Sequence, residues 1–188
     1  DSAFKLIEIQ REIIKPIVDE FDGDWLKEMG DGLVLSFPSS LQAVKCAIKI
    51  QHSVSEIQDL NLRIGIHQGD ILEKDGDIYG DDVNVASRIE PFAAIGGIAI
   101  SDKVQRDIAS HPEFDIQWIA QPSLKGVLQE IKVYCIASHD LPTSTISEIS
   151  GKMEPKTSLF NRTKLLNISL LVFITLLVGY YIYSTSSD

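Results

Sequence analysis

Cysteine is scarce: the 188 residues hold two, Cys46 and Cys135, each inside an apolar run (43–50 and 133–137). Two are too few for a disulfide framework. They read as small buried hydrophobes of a reducing compartment rather than as a disulfide or a ligand pair. Histidine is nearly as sparse, with four residues. His52, His111 and His139 are scattered and form no ligand spacing; His67 lies in an apolar strand-like run, where a satisfied core histidine is expected rather than a metal ligand. Positive charge is in deficit, with 17 Lys and Arg against 27 Asp and Glu and a net charge of −10. There is no basic stripe, which excludes a nucleic-acid-binding surface. The sequence also lacks G-x-x-x-x-G-K-[ST], so no P-loop is present.

What is there concentrates in the stretch from Asp75 to Glu90, DGDIYGDDVNVASRIE. If Gly80 ends a loop and Asp82 to Glu90 is helical, Asn84 and Arg88 lie one turn apart on one face. Arg keeps its charge and offers a planar fork of donors suited to phosphate; Asn adds a neutral hydrogen-bonding group beside it. Upstream, Trp25 to Phe37 (WLKEMGDGLVLSF) reads as a hairpin, with Gly30 and Gly32 permitting the reversal and Asp31 presented at the turn. Leu62 to Leu72 (LRIGIHQGDIL) reads as a second β-rich pair around Gly69. Leu41, Val44, Ala47, Ile48 and Ile50 form a helical core stripe, and Gly96-Gly97 leads into a strand at Ile98. The chain opens in an amphipathic helical run from Phe4 to Phe21, with a kink expected at Pro16.

In this order, KEMGDGLVLSF, LRIGIHQGDI, DGDIYGDDVNVASRIE, GGIAIS and SLKGV resemble the catalytic domain of class III adenylate/guanylate cyclases. The resemblance covers roughly residues 3–137. It implies an α+β, ferredoxin-like βαββαβ cyclase homology domain that pairs head to tail with a second copy, as a homodimer with sites at the interface. Asp31 matches one of two metal-binding aspartates, which would hold two Mg²⁺ or Mn²⁺ ions. Arg88 matches the arginine that stabilises charge on the transferring phosphate, and Asn84 the asparagine that orients the ribose. Lys125, in Leu124-Lys-Gly126, matches the lysine that holds the terminal phosphates.

Lys27 and Asp77 occupy the family's base-reading positions. A lysine only donates and an ionised aspartate only accepts, which suits the N1 acceptor and amino donor of adenine. The resemblance therefore implies an adenylate cyclase making cyclic AMP and pyrophosphate from ATP. The alternative is a non-catalytic cyclase-like module that binds nucleotide or regulates another cyclase chain.

The family's first strand carries the other metal aspartate in an F-x-D-x-x-G segment, whose place would fall before Asp1. The expectation is an N-terminal truncation that removes one core strand and one metal ligand and leaves the fragment alone inactive. At the other end, residues 165–183 carry no charge. As a helix they would extend about 29 Å, matching the ~30 Å hydrocarbon core, with Tyr180, Tyr181 and Tyr183 as an interfacial belt. Lys152, Lys156, Arg162 and Lys164 precede the run and no Lys or Arg follows it. The positive-inside rule then predicts a single-pass membrane protein with a cytoplasmic catalytic domain. The expected organisation is a catalytic domain over 1–137, a linker over 138–164 rich in Ser, Thr and Pro, the transmembrane helix over 165–183, and a tail over 184–188.

Overall fold

A computed structural model of the chain describes residues 2–29, 32–57, 60–74 and 77–145. Helix α1 (Ser2–Glu20) runs through Pro16, which sits on its exposed side where a missing N–H and a bulky ring do least harm. Ile14, Ile17 and Val18 recur at helical spacing and are buried. A hairpin follows, β1 (Asp24–Met29) with β2 (Gly32–Ser36). Met29 pairs with Gly32, so Gly30 and Asp31 alone connect the strands. Arg11 of α1 holds the hairpin by a forked bond to Glu28, at 3.0 and 2.6 Å.

Helix α2 (Ser40–Val54) starts where the Ser39 hydroxyl accepts from the Gln42 N–H. Its expected stripe is core: Val44, Ala47, Ile48 and Ile50 are buried and Leu41 partly so. Next come β3 (Ile64–Ile66), β4 (Leu72–Lys74), β5 (Asp77–Tyr79) and α3 (Asp81–Ile89) with a 3-10 turn, then β6 (Ile98–Ser101), α4 (Asp102–Ile108), β7 (Ile116–Ala120) and β8 (Val133–Ile136). The main sheet has the order β3-β6-β8-β7, with β3 parallel to β6 and the other pairs antiparallel.

Side-chain alternation along the sheet sorts the helices onto two faces. Ile98, Ile100 and Ile136 pack with Val44, Ile48, Val104 and Ile108 of α2 and α4. Ala99, Val133 and Cys135 point the other way, against Val85 and Ile89 of α3. The hairpin shares the helical layer: Leu33 and Leu35 of β2 and Ile64 of β3 all pack with Ile17, Val18 and Cys46. Among the described residues β2 pairs only with β1, and β3 only with β6, so each keeps one open edge. The described elements thus run αββαβ through β3, a mixed α+β order.

One expectation needs correcting. The two β segments flanking Gly69 exist but do not pair with each other: β3 joins β6, and β4 joins β5. The reason is steric. A side chain at Gly69 would meet Asp82 of α3 at 2.0–2.2 Å, so this glycine makes room for a helix, not a hairpin turn. The apolar run at 165–183 lies outside the described residues; among those, no helix is long and apolar enough to cross a membrane.

Candidate active site

Helix α3 carries the two residues with the sharpest chemical expectation. Val85 and Ile89 are fully buried against the sheet, which turns Asn84 and Arg88 outward, one turn apart and exposed. Among the described residues the ion pairs seen do not include Arg88. Ser87 spends its hydroxyl on the Asn84 carbonyl at 2.8 Å, leaving the Asn84 amide side chain outside that bond.

The helix is seated at both ends. Under its last turn, a β-carbon at Gly65 would lie 2.6 Å from the Ala86 carbonyl oxygen and the Glu90 nitrogen. At its start, a β-carbon at Gly80 would lie 2.8 Å from the Asp70 carbonyl oxygen. Asp81 and Asp82 stand in the first turn, where the helix dipole favours negative charge.

Asp82 does more than complement the dipole. Its Oδ2 accepts the Asp70 backbone N–H at 2.9 Å, and its Oδ1 lies 3.0 Å from His67 Nε2. The His67 side chain is 0% exposed. Burial pushes its pKa below the usual imidazole value and outweighs the pull of Asp82 the other way; Lys103 adds to the fall. The ring is therefore neutral at neutral pH, with Nε2–H donating to the carboxylate. Burial raises the Asp82 pKa, but the Asp70 N–H and His67 together carry it below the ordinary value. His67 is a core histidine as expected, but only half satisfied: among the described residues its buried Nδ1 has no hydrogen-bond partner.

Lys27 stands on β1 opposite Val34, just past a register irregularity, and is half-buried. Strand β5, which begins at Asp77, lies against β1, so the two positions expected to read the base belong to adjoining strands. An open hollow of about 460 Å³ is lined by Asp24, Trp25 and Leu26 of β1, with Ser36 and Ile71. Lys125 is exposed on a turn closed by the Val127 N–H to the Leu124 carbonyl, with Gly126 at φ 76°. Leu124, the residue before it, belongs to the same buried cluster as Val85 and Ile89 of α3. Asp31 lies outside the described residues, in the two-residue connection between Met29 and Gly32. Among the described residues no three His, Cys, Asp or Glu side chains converge. They do not by themselves make a metal centre.

The residues that sequence reasoning missed are His67, Gly69 and Asp82 as a unit. Their signal was faint: a histidine closing an apolar run, a glycine two residues on, and a doubled aspartate at a helix start.

The chain matches the family model of the adenylate and guanylate cyclase catalytic domain over residues 28–138, more than half its length. It belongs to that family. A Rhizobium meliloti protein named as an adenylate cyclase is 31% identical over 137 residues, 69% of this chain and 23% of that protein. A Mycobacterium tuberculosis protein named as a pH-sensitive adenylate cyclase is 28% identical over 70% of this chain and 33% of its own length. The chain thus spans a third or less of these two curated relatives. Among solved structures, an adenylate/guanylate cyclase/hydrolase from Silicibacter pomeroyi is similar at a TM-score of 0.62 and 32% identity, covering 68% of this chain and 78% of that one.

Proposed function

We propose that this chain is the catalytic unit of an adenylate cyclase that makes cyclic AMP and pyrophosphate from ATP at an interface between two copies. The observation that carries this reading is the outward pair Asn84 and Arg88 on a helix fixed at both ends, with Arg88 outside the ion pairs seen among the described residues. A guanidinium held on a rigid support can meet charge as it develops on a transferring phosphate. The Asn84 amide, one turn earlier, orients the ribose. Lys125 takes the terminal phosphates. Lys27 and Asp77, on adjoining strands, read the adenine amino edge by donor and acceptor polarity. Names of relatives as adenylate cyclases support the same base. The family works with two divalent ions, and the reading assigns Asp31 to bind Mg²⁺ or Mn²⁺. The protein is further proposed to be anchored by a single membrane span at 165–183, its catalytic domain in the cytoplasm.

The test is Arg88→Ala in the full-length protein, assayed for cyclic AMP. kcat should fall by about 10²–10³ with KM for ATP little changed, as expected for a donor that acts in the transition state. A large rise in KM with normal kcat would reassign Arg88 to ground-state binding. Absence of cyclic AMP from the unaltered protein with either metal would leave a nucleotide-binding regulatory module instead. Base reading is tested separately: Lys27→Glu with Asp77→Cys should shift preference toward GTP, and an undiminished preference for ATP would place the selection elsewhere.

A further inference from the structure

We propose that His67 is a positioning residue: by gripping Asp82 it sets how the start of α3 sits, and so where Asn84 and Arg88 meet the nucleotide. The inference rests on the cyclase reading above but adds residues that reading does not use. Asp82 is the second residue of α3, and its side chain reaches away from its own helix. One oxygen takes the Asp70 backbone N–H at 2.9 Å and the other faces His67 Nε2 at 3.0 Å. The segment from His67 to Asp70 continues directly from β3, the strand on which the far end of α3 rests at Gly65. Strand and helix are therefore joined at two points, with Asn84 and Arg88 between them.

The grip is specific in shape. A side chain on Gly69 would sit 2.0–2.2 Å from the Asp82 side chain, and one on Gly80 would sit 2.8 Å from the Asp70 carbonyl, so neither position has room for a β-carbon. His67 is buried while Asp82 remains partly exposed, at 0% and 23%. The histidine is thus the fixed jaw and the helix carboxylate the element it holds. With Nδ1 lacking any partner, the bond to Asp82 is the only hydrogen bond His67's ring makes among the described residues. Among the described residues no other hydrogen bond competes for its orientation. A neutral imidazole with Nε2–H toward Asp82 does this without placing a buried positive charge beside the helix.

The experiment compares His67→Leu and His67→Gln in the full-length protein, by steady-state kinetics and by hydrogen exchange at the Asp70 amide. Leucine fills space but cannot donate; the glutamine amide can still reach Asp82. His67→Leu should lower kcat about 10- to 100-fold, because displacement of a reacting group by about 1 Å costs up to ~10² in rate. KM for ATP should stay within about threefold if only transition-state contacts are lost. Exchange at Asp70 should quicken, and His67→Gln should recover most of both effects. Equal behaviour of the two variants, or unchanged exchange at Asp70 in His67→Leu, would overturn the proposal. Should His67→Leu not fold, Gly69→Ala in the exposed loop displaces Asp82 directly. It must give the same fall in kcat, and a normal kcat would refute the grip. If the unaltered protein makes no cyclic AMP, the functional reading fails on its own, and exchange at Asp70 still decides whether His67 holds the helix.

Discussion

Gly65→Ala isolates the claim that α3 works because it lies directly on β3. Gly65 is the middle residue of β3, and its absent β-carbon would fall 2.6 Å from the Ala86 oxygen, 2.6 Å from the Glu90 nitrogen and 2.8 Å from the Glu90 Cα. All three are backbone atoms, so none can swing aside. Ordinary van der Waals contact begins at 3.4 Å, so the last turn of α3 must lift by about 0.8 Å. Such overpacking costs about 1–3 kcal/mol, and relief of glycine's entropy in a strand returns roughly 0.5–1 kcal/mol. The net destabilisation is therefore about 1 kcal/mol, small enough to leave a folded protein.

The effect on rate should be out of proportion. Arg88 and Asn84 ride on the displaced helix, and a shift of about 1 Å can cost ~10² in kcat. The assay pairs urea denaturation with cyclic AMP turnover on the full-length protein. A control separates position from stability: Ile108→Ala in α4 empties a fully buried site on the other face of the sheet and should cost about 2–5 kcal/mol. In the fraction that remains folded its kcat should be near normal. If Gly65→Ala lowers stability yet keeps kcat within twofold, the seating of α3 does not position the site and the reasoning fails.

Two further outcomes are expected. The folded-state pKa of His67 is depressed from 6.5 and that of Asp82 from 3.8. In each case the unfolded chain binds protons more readily than the folded one, so stability drops as pH falls. For His67 the loss begins as pH passes below about 6.5; for Asp82 it begins below about 4 and completes through the lower folded value. His67→Gln should flatten the first window of a denaturation midpoint-versus-pH curve and leave the second, and an unchanged curve would contradict the assignment. The thiols should be silent in the native state: Cys46 is fully buried, with its pKa pushed up to about 12 chiefly by burial, and Cys135 is shifted upward for the same reason. Iodoacetamide at pH 8 should label both only after unfolding; rapid native labelling of Cys46 would show that the α1–α2 packing opens.

Much of the frame was legible because it depends on short-range patterns. The α2 stripe, the glycine-bounded hairpin and the helix after Gly80 follow from periodicity and turn chemistry, and Val85 and Ile89 at helical spacing already imply that Asn84 and Arg88 face outward. The pairing of the strands around Gly69 was misread because a glycine between two β segments looks the same whether it turns a chain or clears a path for another. Only the approach of Asp82, twelve residues beyond Asp70, distinguishes the two. His67 illustrates the same limit: burial could be inferred from its apolar neighbours, but not its bond to a particular aspartate.

The sequence by itself determined which residues can do chemistry, since charge, donor polarity and helical spacing are properties of residue type and local order. It also determined the family, through motifs kept in order along the chain. Tertiary structure alone decided what holds those residues still. The seating of α3 on Gly65, the room left at Gly69 and the grip of His67 on Asp82 join segments that are distant in the chain. Close packing sets such contacts to a few tenths of an ångström, a precision that no local pattern encodes.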